Sequence, residues 1–104
     1  MSTSIDFIEF VIDQIENKVN IKYKKMFGEY MIYIDEKPIL LVCDNIVYVK
    51  ELECIINIID QKNIGFPYHG AKEHFIIDVE DKDLLNRIIE ELVKVVPRVM
   101  NKKR

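Results

Sequence analysis

At 104 residues, with 49% hydrophobic and 10% aromatic content, the chain has the size and composition of one globular domain with its own core, which excludes an intrinsically disordered segment. Its charged residues, 32% of the total, nearly cancel to a net charge of −3 and a pI near 5.4, so non-specific attraction to nucleic-acid phosphates is disfavoured. No apolar run reaches the roughly 18 residues of a membrane span, and Asp6 and Glu9 near an N-terminus without a basic start argue against a signal peptide; a cytoplasmic location is expected.

Thr3 and Ser4 are good caps for a first helix, and Asp6 and Glu9 favour the positive end of its dipole. Ile5, Ile8, Ile12, Ile15 and Val19 recur at helical spacing, which predicts a helix from Ile5 to Lys18. Four strands follow: Ile21 to Phe27, Tyr30 to Ile34, Pro38 to Cys43 and Ile46 to Lys50. Gly28-Glu29 suits a hairpin turn with glycine first, or Gly28 is a bulge; Asp44-Asn45 has residue types that tolerate positive φ. Lys25 falls on the apolar face of the first strand, an inward charge of the kind that protects a sheet edge. Glu51 to Gln61, with Leu52, Ile55, Ile56 and Ile59, predicts a short second helix. Ile64 to Gly70 has two glycines and a proline and predicts a loop. His74 to Val79 predicts a fifth strand, and Asp81 and Asp83 open a last helix that Pro97 ends. The expected fold class is α+β: a two-layer sandwich on an antiparallel sheet, in the order α-β-β-β-β-α-β-α, with residues 98–104 as a basic tail of a single domain.

That order of motifs resembles the TfoX/Sxy N-terminal domain family. The resemblance rests on Met26-Phe27-Gly28, the aromatic strand Tyr30 to Asp35, the apolar strand Ile39 to Asp44, and Val47 to Lys50. Gly65 to Tyr68, His74 to Val79 and the helix from Leu84 extend it over about residues 5 to 96. Glu29 replaces a second glycine common in that family, and Asp35-Glu36 replaces the usual Asp-Gly turn. The resemblance implies a non-enzymatic regulatory domain that works through protein–protein contacts in transcriptional regulation. The best-known members of that family carry a second, helical C-terminal domain and act as coactivators of competence genes with the cyclic-AMP receptor protein; the expectation here is a stand-alone N-terminal domain.

Ser2, Thr3 and Ser4 are the only serines and threonines, all at the amino terminus, which disfavours a serine hydrolase or a phosphate-cradling P-loop. His69 and His74 with Cys43 or Cys54 match no zinc spacing, and ordinary loop histidines and reduced core thiols are expected instead; neither metal nor cofactor is expected. A cysteine nucleophile paired with His69 is the catalytic alternative. Five tyrosines near Lys22, Lys24, Lys25 and Lys50 permit single-strand stacking but more readily pack at a core margin, and Arg98, Lys102, Lys103 and Arg104 are explained by a solvated terminus. The interaction surface expected from strand-break and loop aromatics comprises Met26, Phe27, Gly28, Tyr30, Phe66, Tyr68 and His69. A different class of function is a small-molecule or nucleotide sensor with a pocket between the sheet and the 65–70 loop. Finally, Tyr30 to Ile34 and Ile39 to Cys43 are apolar at both strand parities, so a helix or a second chain must cover the other face; a homodimer is expected.

Overall fold

The computed structural model describes residues 3–26, 29–59 and 63–99. The elements are α1 (Ile5–Gln14), β1 (Lys22–Met26), β2 (Glu29–Ile34), β3 (Lys37–Cys43), β4 (Ile46–Lys50), α2 (Glu53–Ile56), β5 (Asn63–Gly65), β6 (His74–Ile77) and α3 (Lys82–Val95). The strands form a six-stranded sheet in the order β1-β2-β3-β4-β6-β5, and every pairing is antiparallel. The α+β class expected from the sequence is the class observed.

Ser4 caps α1, its hydroxyl accepting from the Phe7 backbone N–H at 3.1 Å. Thr3 does other work: it is buried, and its Oγ1 accepts from the Asn45 N–H, tying the chain start to the β3–β4 turn. Asp81 caps α3 by accepting from the Leu84 N–H. On one side, α1 presents Ile8, Val11 and Ile15, and α3 presents Leu85, Ile88, Ile89 and Leu92; both sets join one core with Ile32, Ile34, Leu40, Val42, Val47 and Val49 of the sheet. Those sheet residues share one face by the period of two along each strand.

Two turns have both central residues at positive φ: Asp35 (54°) and Glu36 (63°), then Asp44 (56°) and Asn45 (61°). This is the arrangement of two-residue type I′ hairpins, whose twist matches that of the strands they join. A bulge at Ile39 separates the Ile32–Leu40 pair from Tyr33–Pro38.

Several predicted boundaries shift, each for a physical reason. The first helix stops at Gln14 rather than Lys18, because Ile15 takes extended dihedrals and Asn86 of α3 captures both chain ends there: its Nδ2 donates to the Gln14 carbonyl (2.9 Å) and its Oδ1 accepts from Glu16 N–H (2.8 Å). Lys18 instead caps α1 from outside, its Nζ donating to the Ile12 and Ile15 carbonyls. The second helix is one turn long, with no side-chain cap and a run of β-branched isoleucines that favours helix poorly; residues 60–62 of its expected span lie outside the described residues. Of the expected Gly28-Glu29 turn, Glu29 is already in β2, paired with Met26, and Gly28 lies outside the described residues. The segment expected to be wholly loop from Ile64 to Gly70 begins as β5, giving two strands, not one, between α2 and α3. Gly65 serves this edge strand rather than a bend: a Cβ there would lie 2.9 Å from Ile76 Cδ1 and 3.3 Å from Tyr48 Cε2. Lys25 does lie on the face of its partner Tyr30, but it is exposed. The tail begins later than expected. Arg98 pairs with Asp35 at 2.6 Å, and Val99 N–H donates to the Glu36 carbonyl, strapping the chain after α3 to the β2–β3 turn.

Candidate functional site

The sheet's other face carries a single row across all six strands: Lys24, Met31, Leu41, Tyr48, Ile76 and Asn63, each paired with the next. Its middle four members are apolar or aromatic; Met31 and Leu41 are so because β2 and β3 are apolar at both parities, the pattern that demanded a cover. The cover is partial. The segment following β5 passes over the β4–β6 side of this face, and a groove of about 800 Å³ remains beneath it. Leu41 and Tyr48 form its floor, with Met31 on the β2 side and Tyr68 overhead. Leu41 and Tyr48 keep only 8% and 6% of their surface exposed, whereas Met31 and Ile76 are half-buried.

Polar groups gather where β4 and β6 end. Lys50 pairs with His74, so the next residues, Glu51 and Glu73, stand opposite one another, and both line the groove with Lys50, Lys72 and His74. The Glu73 carboxyl lies within hydrogen-bonding reach of Glu51 and pushes the Glu51 pKa above its ordinary value. The His74 ring stands edge-on to Tyr48 at 90°, and its Nδ1–H donates to the Lys72 carbonyl at 2.7 Å. Burial, followed by Cys43 and Asp44, raises the Tyr48 phenol, which keeps its proton at neutral pH. Burial, with Glu29 and Asp44, also raises Cys43, holding it as a thiol, the opposite of what a cysteine nucleophile needs. Both cysteines are free. Among the described residues no three of His, Cys, Asp and Glu converge as a metal site, and no helix is long and apolar enough to cross a membrane.

The residues expected to form one interaction surface are spread apart. Tyr30 is buried on the helix face, its ring 5.8 Å from Tyr23. Met26 ends β1 on the far side of the sheet from β5, and Phe27 and Gly28 lie outside the described residues. Phe66, Tyr68 and His69 are exposed after β5, and of the five described residues among the seven only Tyr68 lines the groove. Sequence reasoning passed over Leu41, Glu51 and Glu73, and took Tyr48 only as a stacking or core-margin tyrosine. The two-parity apolar pattern announced the face, but which strands would adjoin β4 was needed to bring Glu51 and Glu73 together.

A second groove, of about 510 Å³, opens at the start of α3 beside Asp78, Asp81, Asp83 and Arg87. Its carboxylates include local caps: Asp81 for α3, and Asp78, whose Oδ1 accepts from Glu80 N–H.

No family model matches this sequence, and no solved structure matches it. A protein of Spirochaeta aurantia, described as an uncharacterised 12.7 kDa protein in the trpE 5′ region, is 35% identical over 78 residues, covering 75% of this chain and 68% of that protein. At that identity and coverage, the chain belongs to the same family as the Spirochaeta aurantia protein.

Proposed function

We propose that the protein is a non-enzymatic binding domain that recognises a protein partner through the open face of its sheet, in a regulatory role of the kind the TfoX/Sxy resemblance implies. The supporting observation is the Met31–Leu41–Tyr48–Ile76 row, an apolar surface on the face opposite the helices and only partly covered by the 66–73 segment. Apolar surface left open beside polar groups is the usual composition of a recognition patch. The test is capture from the cells of origin with the tagged chain and with Met31→Glu, a change at a half-buried position on the open face, the variant first shown to unfold cooperatively like the wild type. A partner retained by the wild type and lost by the variant supports the reading; equal retention refutes it. A second copy of the chain is one occupant of this face, and a sedimentation mass of one chain at tens of micromolar removes that use.

The groove favours a second reading, a small-molecule sensor. It is of ligand size, lies between the sheet and the segment after Gly65, and combines an apolar floor with a polar end.

A further inference from the structure

Two features of the groove lack an account within the fold. Tyr48 is 6% exposed, yet among the described residues its hydroxyl has no hydrogen-bond partner, and it is not sealed from solvent. A phenol in the groove lining with no partner in the protein has a donor and an acceptor available to a ligand there. The second feature is the Glu51–Glu73 pair. Like charges directly opposite across a strand pair destabilise it, and here they stand just past the last pair of β4 and β6. Among the described residues no cation forms an ion pair with either carboxylate. Lys50 and Lys72 line the same groove, but the ion pairs of the described residues are Lys94–Glu91 and Arg98–Asp35, so neither lysine is within 4.0 Å of either carboxylate.

Resting on the small-molecule reading of this face, we propose that the groove binds a primary amine with an apolar or aromatic body. The ammonium sits between the Glu51 and Glu73 carboxylates, and the body lies on the Leu41–Tyr48 floor with the Tyr48 hydroxyl as a further acceptor. A bound ammonium supplies the positive charge that offsets the repulsion between the two facing carboxylates. Lys50 and Lys72 repel a second cation, which sets the preference at monoamines over polyamines.

The experiment is an amide NMR titration of the full chain with phenethylamine, phenethyl alcohol and phenylacetate, three probes of one shape and different charge. The expected result is movement of the Leu41, Tyr48, Lys72 and His74 signals, with the amine binding about tenfold more tightly than the alcohol and phenylacetate weakest of all. Glu51→Gln and Glu73→Gln, at exposed positions that leave the fold intact, each bring the amine down toward the alcohol and leave the alcohol unchanged. Phenylacetate binding as tightly as the amine, or amine affinity indifferent to both glutamate changes, overturns the amine assignment while leaving the groove as a binding site. Failure of all three probes to move groove signals at millimolar concentration overturns the small-molecule reading together with it.

Discussion

Glu36 occupies the second central position of the β2–β3 turn at φ 63°, a left-handed conformation that costs an L-residue with an unbranched, non-hydrogen-bonding side chain about 1–2 kcal/mol. Its side chain is exposed and, among the described residues, makes no hydrogen bond or ion pair; its backbone carbonyl accepts from Val99 N–H, a bond that survives any substitution. Glu36→Gly therefore relieves the strain and loses nothing in the folded state. Against this, glycine loosens the unfolded chain by roughly 0.5–1 kcal/mol, so the net gain is between zero and about 1.5 kcal/mol, or up to roughly 6 °C in Tm for a domain of this size. Asp35→Gly is the internal control. Aspartate tolerates positive φ better than glutamate, and its carboxylate accepts from Arg98 at 2.6 Å, a surface pair worth at most about 1 kcal/mol. Urea unfolding of the three proteins should rank Glu36→Gly above wild type, and wild type level with or above Asp35→Gly. A destabilised Glu36→Gly, or an Asp35→Gly more stable than it, would refute the assignment of strain to position 36.

Adjacent residues of β3 test the two faces. Leu40→Ala opens a void in the sealed helix-side core and should cost about 2–5 kcal/mol, whereas Leu41→Ala enlarges a groove that water enters and should cost about 1–2 kcal/mol; equal losses in denaturant unfolding would mean the second face is closed. Asn86→Ala leaves Glu16 N–H and the Gln14 carbonyl without their partner at a half-buried helix junction, with an expected loss of about 1–3 kcal/mol by thermal or chemical unfolding. Burial raises Glu29, and the neighbouring Glu73 raises Glu51, above the ordinary 4.5. The folded protein then holds protons that the unfolded chain has released, so these groups add stability as pH falls through their raised values and lose it as pH rises from 4.5 through them. The difference in stability between wild type and Glu51→Gln, followed by unfolding from pH 4.5 to neutrality, should move against the wild type as pH rises; a difference that is flat or opposite in sign contradicts the Glu51–Glu73 contact.

How much of this was legible in the residues follows from the range of the forces involved. Alternation, helical spacing, the Ser4 and Asp81 caps and the Asp44-Asn45 turn are local, so the order of most elements and the antiparallel α+β class could be read directly. The apolar runs of β2 and β3 announced that the second face needs a cover, but the cover expected was a helix or a second chain, not the segment after β5 that lines the groove. The end of α1 could not be read, because it is set by Asn86, 70 residues away from the Glu16 N–H it binds. Nor could β5, whose three residues show no alternation and are strand only because β6 offers them a free edge. Tyr48 and the facing Glu51 and Glu73 likewise depend on β6 returning beside β4. Local propensity belongs to the sequence by itself; which side chains share a face is decided by strand pairing across long loops, and the groove exists only at that level.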